Sequence, residues 1–104
     1  MKFTGKEDHS ISLESASQWT KNFRTTAAKE AVLGGFFGKD AMETLLAQKG
    51  AVGFRYYYAL DDNEQPVLVL VGVDEDGNDL YDGALMEVSR PCPPYCSAAN
   101  PLNS

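Results

Sequence analysis

A chain of 104 residues, 43% hydrophobic and 11% aromatic, is long enough to bury one core and too apolar to remain disordered. Its longest strongly apolar run, Val67 to Val73, is about a third of what a bilayer-crossing helix needs, so no membrane partner is expected. The net charge of −6 is uneven: residues 1–55 carry eight Lys/Arg against six Asp/Glu, whereas residues 56–104 carry Arg90 alone against nine acids. A field of that sign repels a phosphate backbone, and no basic stripe interleaved with aromatics offsets it, which argues against nucleic acid.

The opening Met1-Lys2-Phe3-Thr4-Gly5-Lys6-Glu7-Asp8-His9 has charge where a signal peptide has an apolar region, so a cytoplasmic setting is expected. In that compartment two cysteines are more often free or metal-bound than bridged. Residues 12–28 read as a first helix: Ser12 is a natural N-cap, and Leu13, Ala16, Trp19, Thr20 and Phe23 recur on one side. Gly34-Gly35-Phe36-Phe37-Gly38 reads as an irregular connection pinned into the core by its rings. A short second helix over about 41–48 follows, with Asp40 and Glu43 spaced as a capping box, Met42, Leu45 and Leu46 facing inward, and Gly50 as its stop.

From Ala51 the period changes to two. Val52, Phe54, Tyr56, Tyr58 and Leu60 make a heavy strand face, and Ala51, Gly53, Arg55, Tyr57 and Ala59 a light one. The turn 61–65 leads to Pro66 and a strand, Val67 to Val73, that is apolar on both sides and therefore central. A second turn around Asp76-Gly77 leads to a third strand over Ala84 to Val88, and the proline-rich tail from Ser89 on reads as irregular. These elements predict one α+β domain over 1–104. Two N-terminal helices pack on an antiparallel sheet of about three strands, flanked by an N-terminal arm (1–11) and a Pro/Cys-rich tail (89–104). Two helices cover only one sheet face, so the other must be closed by the tail, the N-terminal arm or a second copy of the chain.

The pattern resembles a family of small bacterial proteins with no assigned function. The resemblance is carried by His9-Ser10-Ile11-Ser12-Leu13, Leu45-Leu46-Ala47-Gln48, Gly53-Phe54-Arg55-Tyr56-Tyr57, Val71-Gly72-Val73-Asp74, Gly77-Asn78-Asp79 and Pro91-Cys92-Pro93-Pro94-Tyr95-Cys96. It implies a fold unit with a Cys-Pro-Pro-x-Cys tail and carries over no catalytic residue.

Cys92 and Cys96 could supply half of a zinc site, with His9 and a carboxylate, or the thiolates of a second copy, completing it. An extended Pro93-Pro94 would hold their Cα atoms about 12 Å apart, against the ~5.5 Å a disulfide prefers, so a bridge requires a turn or a cis proline. A redox pair lacks the helix N-terminus that lowers a thiol pKa, and the plainest reading makes both cysteines small buried hydrophobes. The Asp74-to-Asp79 loop fails the calcium-loop pattern, with Asp79 where glycine is needed and Leu85 where glutamate is needed. Arg55 and Tyr57, with Tyr81 and Tyr95 as neighbours, form a candidate anchor for a carboxylate or a partner protein; an internal ion pair, Arg55 to Glu87, competes with that reading. No catalytic triad, phosphate loop or apolar carboxylate pair is visible. The expectation is a non-enzymatic binding or assembly module without a cofactor, self-associating through the second sheet face or the sheet edge; the alternative is a zinc-binding or redox-active thiol site.

Overall fold

The computed structural model describes residues 2–104. It is α+β, with two helices and two antiparallel sheets of three and two strands. The elements are α1 (Leu13–Thr26), β1 (Gly34–Phe36), α2 (Lys39–Leu46), β2 (Ala51–Leu60), β3 (Pro66–Asp74), β4 (Leu85–Met86) and β5 (Arg90–Cys92). They divide into two compact units. The first takes Phe37–Ser89 with the N-terminal residues up to Glu7, and the second takes Asp8–Phe36 with Arg90–Ser104.

In the first unit the sheet order is β2-β3-β4, with β3 central as its two apolar faces require. β2 pairs with β3 from Leu60↔Pro66 to Gly53↔Val73, and a bulge at Val52 precedes Ala51↔Asp74. Helix α2 starts at Gly38 with no side-chain cap, so the expected Asp40/Glu43 box is not formed; Asp40 lies in the first turn, where a carboxylate suits the helix dipole. Leu45 is fully buried, while Leu46 is half exposed and faces outward. The backbone of α2 meets the sheet at Gly72. The Gln48 amide enters the same space, its Nε2 donating to Leu45 O and its Oε1 accepting from Ala84 N–H, each at 2.9 Å. A Cβ at Gly72 or Gly83 would overlap that amide, so two glycines make the slot that one glutamine fills.

Leu45, Leu70, Val71 and Val73 are the buried core. Val71 and Val73 pair with Arg55 and Gly53 and so share the light face of β2. The N-terminal arm reaches this side: Phe3 N–H donates to Glu75 O at 2.7 Å, and its ring lies 5.9 Å from the Arg55 guanidinium. The expected third strand shrinks to Leu85–Met86, because Val88 turns to φ 58° and ends the extended run.

The two hairpin turns of this unit are built alike. Asp61 Oδ1 accepts from the N–H groups of Asn63 and Gln65, and Asp74 Oδ1 from those of Asp76 and Asn78. In each, the fourth residue is left-handed: Glu64 at φ 62° and Gly77 at φ 81°. The first aspartate carboxylate folds the turn by replacing backbone partners, and only the second turn uses the residue that conformation favours.

In the second unit Ser12 caps α1 as expected, its Oγ accepting from Ser15 N–H at 3.0 Å. The helix ends at Thr26 rather than 28, where Thr25 and Thr26 hydroxyls donate back to the Asn22 and Phe23 carbonyls. No residue of α1 is buried. Gly34-Gly35-Phe36, expected to be irregular, is strand β1, and it pairs antiparallel with β5 in the tail, Gly34↔Cys92 to Phe36↔Arg90. Pro91 is tolerated because each strand of a two-stranded ladder is an edge, where a missing donor need not face a partner. Phe36, expected as a core anchor, is exposed.

Candidate functional site

Arg55 and Tyr57 leave the light face of β2 two residues apart and converge on Asp79. Arg55 Nη1 donates to Asp79 Oδ1 and, at 3.1 Å, to Gly77 O, while the Tyr57 hydroxyl donates to Asp79 Oδ2. The Tyr57 hydrogen bond, joined by the Arg55 charge, holds the Asp79 carboxyl below its ordinary range. The same carboxylate raises the pKa of Tyr57 and of Arg55. The internal ion pair weighed from the sequence is therefore present, with Asp79 in place of Glu87 as its acid. The cluster closes the 74–79 turn, and both oxygens of its carboxylate already accept hydrogen bonds.

Tyr95, grouped with Arg55 and Tyr57 from the sequence, belongs to the second unit. There Cys92 and Cys96 are joined by a disulfide, with Cα atoms 4.8 Å apart and cis peptide bonds at Cys92–Pro93 and Pro93–Pro94. The extended path assumed from the two prolines is not the one taken, and the two sulfurs meet instead of standing apart. Tyr95 N–H donates to Pro91 O and Cys96 N–H to Pro94 O, which curls the intervening residues into a tight loop. Cross-linking across four positions restrains the unfolded chain by about 2 kcal/mol in the loop-entropy account. His9 lies in the exposed segment ahead of α1, and among the described residues no three His, Cys, Asp or Glu side chains converge as a metal ion requires.

The bridge forms part of the wall of an open cleft of about 560 Å³. Helix α1 contributes Trp19, Phe23 and Arg24, Leu33 and strand β1 contribute the 33–36 segment, and the tail contributes Tyr95 with both cysteines. The Arg24 guanidinium donates to Leu102 O at 2.8 Å and to Ser104 O at 3.2 Å, tying the tail to the helix. Asn100 and Asn103 brace the tail from within: Asn100 N–H donates to Asn103 Oδ1, and Leu102 N–H to Asn100 Oδ1, each at 2.8 Å. Arg90 stacks over the Tyr95 ring at 5.3 Å. Sequence reasoning assigned Trp19 and Phe23 to a buried face and did not single out Arg24. The usable signal was that the α1 stripe offers few aliphatic residues for its aromatic ones to pack against.

No family model, curated protein or solved structure matches the chain.

Proposed function

We propose that the protein is a non-enzymatic assembly module whose first unit pairs with a second copy of itself along strand β2. The observation that supports this reading is the free edge of that strand. β2 is ten residues long, borders the sheet and contains no proline. Beyond the Val52 bulge, among the described residues, its backbone from Phe54 to Leu60 has no hydrogen-bond partner outside the β2–β3 ladder. Its one charged side chain, Arg55, is turned into the Asp79 cluster. Soluble proteins blunt such edges with lysines, prolines, short strands or covering loops, and the opposite edge, β4, is only two residues long.

A second copy is the occupant this edge suits, because an antiparallel pair of identical strands about a two-fold axis satisfies both edges at once. The rings flanking it are exposed, Tyr58 at 83% and Tyr56 at 52%, and their edge-to-face contact at 5.6 Å presents an aromatic row to a partner. Light scattering on the full chain at tens of micromolar tests the reading. A dimer that Tyr58→Lys converts to monomer, with unchanged circular dichroism, supports it; a wild-type monomer refutes it.

A second reading, thiol exchange at Cys92–Cys96, is favoured by the exposure of Cys96 at the cleft wall. A potential in the range of cellular dithiol couples, measured by titration against glutathione, supports exchange, and a bridge that resists reduction below that range leaves it structural.

A further inference from the structure

We propose that the Cys92–Cys96 bridge is a redox latch that holds helix α1 in the second unit, and that a dithiol reductant opens it. The proposal rests on the thiol-exchange reading of that pair and is independent of the dimer through β2. Every buried residue among those described, Leu45, Leu70, Val71, Gly72 and Val73, belongs to the first unit. The second unit therefore has no buried side chain, and a small unit without a core depends on cross-links, metals or partners. Helix α1, at 14 residues, has the length at which a helix alone in water is marginal. What holds it in place is its attachment to the tail.

That attachment runs along one short path. Among the described residues, the only hydrogen bonds α1 makes beyond itself and its caps are those of Arg24 to Leu102 O and Ser104 O. Residues 97–104 reach the helix as a braced segment, the Asn103 side-chain amide donating to Ser97 O and to Ala98 O, each at 3.2 Å. On the other side of the bridge, β5 is fixed to β1, and Leu33 N–H donates to Cys92 O at 2.7 Å. The disulfide is the joint between the two: Cys92 ends the ladder, and Cys96 begins the segment that returns to α1. Without it the reversal is left with Tyr95 N–H to Pro91 O and Cys96 N–H to Pro94 O. Both donors sit on exposed residues, where a hydrogen bond adds little over one to water.

Cys96 is exposed and Cys92 half-buried, so an incoming thiolate meets Cys96 first. One thiolate of the reductant bonds to Cys96 Sγ, and the electron pair of the broken S–S bond leaves on Cys92, which takes up a proton. The second thiol of the reductant gives up its proton and displaces Cys96 Sγ, which is protonated in turn. Two electrons have passed: both cysteines end as thiols and the reductant as its own disulfide. In the loop-entropy account, removing a cross-link over four positions raises the ratio of open to closed chain about thirtyfold.

The test is amide hydrogen exchange, followed by NMR on the full chain before and after reduction with dithiothreitol, with free thiols counted by alkylation and mass. Two thiols should appear, the α1 amides should exchange about thirtyfold faster, and the β2 and β3 amides should keep their rates. Cys92→Ser combined with Cys96→Ser should reproduce the reduced pattern without reductant. Arg24→Gln should free α1 while the bridge is intact, and reduction should then add little to the α1 rates. The latch is overturned, and thiol exchange kept, if both thiols appear while α1 exchanges as before. It is also overturned if α1 is already unprotected in the oxidised chain, if β2 and β3 accelerate as much as α1, or if reduction still frees α1 in full in Arg24→Gln. A bridge that dithiothreitol leaves closed overturns the exchange reading and the latch together.

Discussion

The Gln48 amide in its two-glycine slot makes a stability prediction whose sign depends on combination. Gln48→Ala deletes the acceptor of Ala84 N–H and the donor to Leu45 O, leaving a half-buried backbone N–H without a protein partner. A loss of about 1–2 kcal/mol is expected. Gly83→Ala alone is expected to cost about 1–3 kcal/mol, because the new methyl would overlap Gln48 Oε1 in a site already filled. Gly83 is not among the left-handed glycines, so backbone strain does not contribute. In the double variant the methyl enters the volume the amide has left, so the two losses should fall short of their sum by about 1 kcal/mol or more. Urea unfolding followed by far-ultraviolet circular dichroism measures the cycle. Trp19 lies in the other unit, and its fluorescence serves as the internal control. Additivity within about 0.3 kcal/mol would refute the idea that glutamine and glycine define one slot.

The twin turns predict opposite responses to gaining and losing a glycine at the same left-handed position. Glu64→Gly should stabilise by up to about 1 kcal/mol by relieving a left-handed non-glycine, while Gly77→Ala should destabilise by at least about 1 kcal/mol. The second loss is deepened because a Cβ at Gly77 would press on the Phe3 ring at 3.3 Å, and thermal melts of both variants check the pair. The Arg55–Tyr57–Asp79 cluster predicts loss of stability at both ends of the pH scale. Asp79 has its pKa lowered on folding, so its contribution is full above the ordinary carboxylate range and is lost as pH falls through the folded value. Tyr57 has its pKa raised, so its contribution is full below the ordinary phenol range and is lost as pH rises through the folded value. Denaturation midpoints measured across pH should show both limbs in the native chain, and Asp79→Asn should flatten them.

What was legible in the sequence was what neighbouring residues decide. The alternation from Ala51 to Leu60, the doubly apolar Val67 to Val73 and the Ser12 cap each act within a few positions, and each appears in the structure as read. The pairing of Gly34–Phe36 with Arg90–Cys92 was not legible, because glycines and a proline have low strand propensity and the partners lie 54 to 58 positions apart. The disulfide was discounted on an extended-chain distance that the curled loop does not obey. Arg55 and Tyr57 were read as a pair, and both side chains meet at Asp79. Their acid was misassigned to Glu87 because the third strand was drawn too long, and with β4 reduced to two residues the nearer Asp79 takes that place.

The second unit is discontinuous: its two pieces flank the whole of Phe37–Ser89, and the Cys92–Cys96 bridge ties only the tail to itself. Closing β1 onto β5 in an unfolded chain requires bringing together the ends of a long flexible loop, and the covalent link gives no help with that closure. If the hairpin β2–β3 and its helix have already condensed, the same meeting joins two short stubs that leave an ordered body. Assembly during synthesis therefore has a direction. The inner segment can fold as it emerges, whereas α1 must wait for residues 90–104 before its aromatic face finds company.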